Sequence, residues 1–130
     1  MTESRMQMIE DREAIRDLLA RYCYLIAAGD VDGVIELYTL DCVVDVRGNR
    51  FEGARGLQDL YADSLQVSPK PYIHNHLIDE ISADSARGRC VLEIRQIRAG
   101  KPETAGGCYE DRYLKQDGRW KFHHRTFRVY

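Results

Sequence analysis

The 130 residues carry 19 Lys and Arg against 21 Asp and Glu, a net charge of −2, with 44% hydrophobic residues. Signs are mixed along the whole chain, so there is no basic footprint for nucleic acid and no cationic helix face for lipid. The length predicts one domain over 1–130 with a single core.

The opening Met1-Thr2-Glu3-Ser4-Arg5 is polar and runs into Glu10-Asp11-Arg12-Glu13. A secretory signal needs an apolar stretch there, and no later run approaches the ~18 to 20 apolar residues of a membrane span. A cytoplasmic protein is expected. Cys23, Cys42, Cys90 and Cys108 form no C-x-x-C pair and sit in apolar segments. They read as buried structural thiols without disulfides.

Ile15, Leu18, Leu19, Tyr22 and Ile26 recur at three- and four-residue spacing, which predicts an amphipathic helix capped by Asp11 and ended by Gly29. Asp30 can cap a short second helix through Val34, Ile35, Leu37 and Tyr38. A strand is expected over 40–46, a turn at Gly48-Asn49, an extended piece at Phe51 and a third helix from Ala54 to Leu65. After Pro69 and Pro71, four stretches of high β-propensity follow, over 72–82, 86–98, 104–115 and 119–129. The turns expected between them are Ala83-Asp84, Gly100-Lys101-Pro102 and Asp117-Gly118. Helices followed by a meander define an α+β class. The expected packing is a cone-shaped, curved antiparallel or mixed sheet wrapped around three helices, leaving a small-molecule pocket.

Ala14-Ile15-Arg16-Asp17-Leu18-Leu19 with Tyr22 and Gly29-Asp30 resembles the opening helix of SnoaL-like proteins of the nuclear-transport-factor-2-like superfamily. Gly106-Gly107-Cys108-Tyr109-Glu110-Asp111-Arg112-Tyr113, ending in Asp117-Gly118-Arg119-Trp120-Lys121-Phe122, resembles the family too, with His74-Asn75-His76 falling between. The order and spacing are similar to bile-acid dehydratase, lindane dehydrochlorinase and scytalone dehydratase. The resemblance implies a cystatin-like α+β roll, a homodimer or higher homo-oligomer, no cofactor, and lyase or isomerase chemistry such as dehydration or polyketide cyclisation. The implied substrate is a hydrophobic oxygenated ring.

It also implies site residues. His74 matches the catalytic histidine of the dehydratases, Tyr22 the pocket tyrosine of the bile-acid enzyme, and Arg125 an arginine of the dehydrochlorinase pocket, while Arg128 fits the bile-acid enzyme's tail. The aspartate that usually partners the histidine falls on Ala27, and a second acid on Ile94. A pocket imidazole suits proton abstraction because its pKa lies near working pH. It normally needs a carboxylate to fix its tautomer. Asp111, sharing strand parity with Tyr109 and Tyr113, is the candidate partner; an acid on the hairpin surface or at an interface, paired with an arginine, is its other reading. Ile26, Leu60, His76, Leu92, Ile94 and Tyr109 complete the expected lining, with Ala27 and Arg128. The missing carboxylates equally suit a non-catalytic ligand-binding member of the fold.

Two readings stay open. His123 and His124 fall on opposite strand faces, and Trp120 and Phe122 have a parity different from Arg125 unless a bulge resets it. His74-x-His76 followed by Glu80 has the look of a cupin metal motif, but cupins are all-β and need a further histidine, so no metal is expected.

Overall fold

The computed structural model describes residues 2–130, with the side chains of 1–3 left aside. Helix α1 (Thr2–Ala28) is followed by the short α2 (Val31–Glu36), strands β1 (Tyr38–Val46) and β2 (Asn49–Glu52), and helix α3 (Gly53–Ser64). A 3-10 turn (Leu65–Val67) leads into β3 (Lys70–Ile81), β4 (Ser85–Arg98), β5 (Lys101–Gln116) and β6 (Arg119–Val129). The strands form one open mixed sheet in the order β2-β1-β6-β5-β4-β3, with β1 parallel to β6 and every other pair antiparallel. The α+β architecture expected from the sequence is present.

The core lies between the inner sheet face and the helices. Ile15, Leu18, Leu19, Tyr22 and Ile26 of α1 are buried, as their spacing predicts, against Leu92, Tyr113, Trp120 and Phe122 of the sheet. Asp11 is not the helix cap. The helix begins well before it, at Thr2, through residues that form helix well but carry no apolar stripe, and Asp11 is buried within it. There its Oδ1 accepts from Trp120 Nε1 at 2.9 Å and Lys115 Nζ at 3.0 Å, tying α1 to the β5–β6 hairpin. At the other end Lys70 Nζ donates to the Ala27 carbonyl at 2.9 Å. Tyr38 begins β1 instead of ending the second helix.

Each of three two-residue hairpins has positive φ at both central positions: Arg47-Gly48, Ala99-Gly100 and Asp117-Gly118. This is the primed turn that matches strand twist. The first two begin one residue before the turns expected from sequence. Strands β3 and β4 approach closely beside the Asn75 bulge: a Cβ on Gly88 of β4 would lie 2.4 Å from the Leu77 carbonyl of β3. Cys42 and Cys90 are buried, Cys23 and Cys108 half-buried, and all four are free thiols.

Two bulges decide which side chains face inward. On β6, the register with β5 shifts between Arg112 and Tyr113, so that His124 pairs with Arg112 and Phe122 with Tyr113, and His123 is the extra residue. The alternation resets there, and Phe122 and Arg125 are both buried. On β3, His74 pairs with Val91 and Leu77 with Arg89, while Asn75 between them has φ 51°. That bulge sends His74 outward and turns His76 in.

A donor-lined cavity built on a buried arginine

Between α1, α3 and the curved sheet lies a cavity of about 400 Å³. Tyr22 and Ile26 reach it from α1, Leu60 and Tyr61 from α3, and Ile94, Tyr109 and Arg125 from the sheet. Of the lining residues expected from sequence, Ile26, Leu60, Ile94 and Tyr109 are therefore in the wall, as are Tyr22 and Arg125.

The others are elsewhere. His74 is a correction: its side chain is 48% exposed on the outer sheet face, with Glu93 of the neighbouring strand 3.9 Å away. An imidazole there cannot reach a substrate in the cavity. Ala27 stands one residue, roughly 100° of helix turn, past Ile26 and misses the wall. Leu92 is fully buried in the core, not at the cavity surface. Arg128 points outward to Glu110 at 3.1 Å, because the bulge at His123 gives the inward parity to Arg125 and Phe127. His76 faces inward but beside the cavity, its Nε2 3.4 Å from the Tyr113 hydroxyl. Burial lowers its pKa, opposed by the charge of Asp111. His74 and His76 thus point to opposite faces, which dissolves the resemblance of His74-x-His76 to a metal motif. His123 meets Thr39 Oγ1 at 3.0 Å, and His124 meets Asp45 at 2.8 Å; neither lines the cavity.

The polar centre of the cavity wall is Arg125. It is 1% exposed. Asp111, itself buried, receives Arg125 Nε at 2.7 Å and Nη2 at 3.0 Å, a two-pronged pair. Tyr113 adds a third donor to Asp111 at 3.3 Å. The guanidinium carbon sits 3.6 Å from the Tyr109 ring centre, 4.1 Å from Phe122 and 4.5 Å from Tyr22. Burial alone would push the arginine towards neutrality, but the Asp111 charge outweighs it and raises the arginine's pKa, so the guanidinium stays charged. Among the described residues its Nη1 has no hydrogen-bond partner.

Around Arg125 stands a chain of phenols: Tyr38 to Tyr61 at 2.8 Å, Tyr61 to Tyr22 at 3.4 Å and Tyr22 to Tyr109 at 3.1 Å. Burial raises the pKa of Tyr38, Tyr61 and Tyr109, so they remain protonated at neutral pH and act as donors. Sequence reasoning found Tyr22 and Tyr109 but not Tyr38 or Tyr61 as site residues; their signal was only a hydroxyl on an apolar stripe. Asp63, an exposed acid at the rim, is a further lining residue that no motif marks. Asp111 is therefore the partner of an arginine and not of an imidazole.

Helices packed against one face of an open mixed sheet, with a cavity left between them, define an α+β roll. Residues 7–126 match the SnoaL-like domain, and the chain belongs to that family. No curated protein sequence matches it. Among solved structures, it is similar to a variant of Rv3472 of Mycobacterium tuberculosis, a protein of unknown function. The two share 29% identity over 98% of this chain and 75% of that one, with a TM-score of 0.87. It shares 21% identity with a protein described as a candidate scytalone dehydratase from Novosphingobium aromaticivorans, over 100% of this chain and 89% of that one, TM-score 0.86. The hexachlorocyclohexane dehydrochlorinase LinA-type3 of Novosphingobium barchaimii is 20% identical over 96% and 90% of the two chains, TM-score 0.85. The fold is thus that of the cystatin-like, nuclear-transport-factor-2-like proteins. Among the described residues no helix is long and apolar enough to cross a membrane.

Proposed function

We propose that the chain is a cofactor-independent lyase or isomerase acting on a small, largely apolar, oxygenated ring compound held in the cavity. The observation that carries this reading is Arg125, charged but paired with Asp111 and stacked against the rings of Tyr22 and Tyr109, whose hydroxyls meet at 3.1 Å, all three residues lining the cavity. Donors fixed in a low-dielectric site stabilise negative charge as it develops on a substrate oxygen. The names of two fold relatives, a dehydratase and a dehydrochlorinase, both describe eliminations.

In this reading Tyr22, backed by Arg125, holds the substrate oxygen as the oxyanion forms. Asp63, the acid among the lining residues, takes the proton from the adjacent carbon. For a dehydration that proton passes to the departing hydroxyl, which leaves as water. His74 has no part in it. The test is a panel of hydroxylated sterols and polyketide-type aromatics, followed by mass for loss of water. Turnover should fall by about 10²-fold or more in Tyr22→Phe, the scale of losing one oxyanion donor. His74→Ala should match the wild type. Undiminished turnover in Tyr22→Phe would remove the assignment.

A second reading has its own support: among the described residues no imidazole lines the cavity, and the carboxylate in its lining, Asp63, is exposed at the rim. That suits a protein that binds such a ring without transforming it, and saturable binding with no mass change across the panel would favour it. In either case the chain is proposed to act as a cytoplasmic homodimer or higher homo-oligomer paired through the outer sheet face. Sedimentation velocity should show a species of at least twice the chain's mass; a monomer at all concentrations would remove this part of the reading.

A further inference from the structure

The parity that buries Cys90, Tyr109, Asp111 and Tyr113 turns their neighbours on β4 and β5 to the outer sheet face. There Arg112 stands directly across from Arg87 of β4 on one side and from His124 of β6 on the other. Neighbouring strands are about 4.8 Å apart, and like charges directly opposite each other destabilise a sheet. The Arg87–Arg112 pair is therefore a cost that the fold does not require. The row crosses an open basin of about 650 Å³, on the far side of the sheet from the cavity.

The charges of the basin can be matched one by one. Among its acids, Asp79 is held by Arg89 at 3.3 Å, Glu110 by Arg128 at 3.1 Å, and Asp111 turns inward to Arg125. Arg87 reaches Glu80 through Nη2 at 2.8 Å, and its Nε edge makes no hydrogen bond among the described residues. His124 directs Nε2 to Asp45 at 2.8 Å. Arg112 is what remains. Among the described residues it makes no ion pair, and each of the neighbouring carboxylates already has a cation. The surplus charge thus sits on the middle strand of the basin, with Thr126 in the same lining.

A guanidinium without a carboxylate, beside a second one with a free edge, matches the oxygens of a phosphate group. A carboxylate fills one such fork, whereas a phosphate has oxygens for two. We propose that the outer face carries a second ligand site, in which Arg112 and Arg87 hold a phosphate group, free or as a phosphate monoester. The site is independent of what the cavity takes.

The test is an NMR titration of the isotopically labelled chain in low-salt, phosphate-free buffer at about pH 7.5, where a phosphate monoester is mostly a dianion. Inorganic phosphate, phenyl phosphate and acetate are the probes. The chain's net charge of −2 opposes anions in general, so saturable binding reports a local site. Amides around Arg87, Arg112 and Thr126 should shift saturably, with inorganic phosphate bound about tenfold more tightly than acetate, the scale of one further charged hydrogen bond. Tighter binding of phenyl phosphate identifies a monoester as the ligand; no gain over inorganic phosphate identifies the free anion. Arg112→Gln should weaken phosphate about tenfold or more. Arg21→Gln removes the same charge from an exposed position on α1 and should leave binding unchanged. Equal weakening by the two variants would assign the binding to overall charge and overturn the site. Shifts that never saturate, or that acetate reproduces at the same concentrations, overturn it as well. The wild-type ranking decides the matter if Arg112→Gln does not fold. Because copies are proposed to pair through this face, sedimentation velocity accompanies each titration. Absence of saturable binding removes the site whatever the state of association, and a monomer that binds phosphate removes the pairing alone.

Discussion

At the scale of single residues, the cavity rests on a buried charge that is tolerable only as a pair. Arg125 and Asp111 have side chains 1% and 0% exposed, and two hydrogen bonds join them. Removing one partner strands the other without water, which typically costs about 3–5 kcal/mol, whereas replacing both by apolar groups of similar size is often neutral. Asp111→Ala should therefore be strongly destabilised. An Arg125→Met/Asp111→Leu double variant should recover much of that loss and yet lose the cavity's ligand. Urea melts of the single and double variants check this. A double variant as unstable as Asp111→Ala would show that packing, not charge pairing, sets the cost. His74 supplies the contrast. Half exposed and 3.9 Å from an equally exposed Glu93, it should change stability by no more than about 0.5 kcal/mol on replacement by Ala.

At the scale of elements, periodicity was readable and its interruptions were not. The stripe of Ile15, Leu18, Leu19, Tyr22 and Ile26 follows from a regular period, and all five are buried. The parity of Tyr109, Asp111 and Tyr113 on β5 holds for the same reason. Errors fall where one added residue breaks the alternation. The bulge at His123 brings Arg125 inward and sends Arg128 out, and the bulge at Asn75 exchanges His74 for His76. A bulge is fixed by pairing with a distant strand, so little in the local sequence announces it. Asn75 does carry a faint signal, since Asn tolerates the left-handed region better than most residues. Its φ of 51° predicts that Asn75→Gly is tolerated. Asn75→Val should lose about 1–2 kcal/mol through the left-handed strain on a side chain, and should disturb His76. Thermal melts, with the His76 imidazole resonances as the local probe, check both variants. Equal stability of the Val and Gly forms would mean that the bulge can relax at no cost.

At the scale of the whole molecule, polar contacts at two points add to the apolar packing that holds α1 across the sheet. One is the exposed contact of Lys70 with the Ala27 carbonyl; the other is Asp11, which joins Trp120, Lys115 and Gln7. Burial works against the Asp11 carboxylate, but these hydrogen bonds and the Lys115 charge outweigh it and lower its pKa. A carboxyl depressed on folding holds its proton less readily in the folded than in the unfolded chain. Its contribution is complete above the unfolded value, near 3.9, and is lost as pH falls through the lower folded value. Asp11→Asn should thus be destabilised at pH 7, where the wild-type group accepts as an anion. The gap between variant and wild type should close as pH falls below about 4, because the wild type then loses what the variant never had. Urea melts at pH 7 and pH 2.5 measure the two gaps. Because Asp11 anchors the helix that carries Tyr22, ligand binding at pH 7 should weaken in the same variant even though Asp11 is remote from the cavity wall. A gap that stays constant with pH would show that the α1 clamp depends on shape and hydrogen-bond number, not on the carboxylate charge.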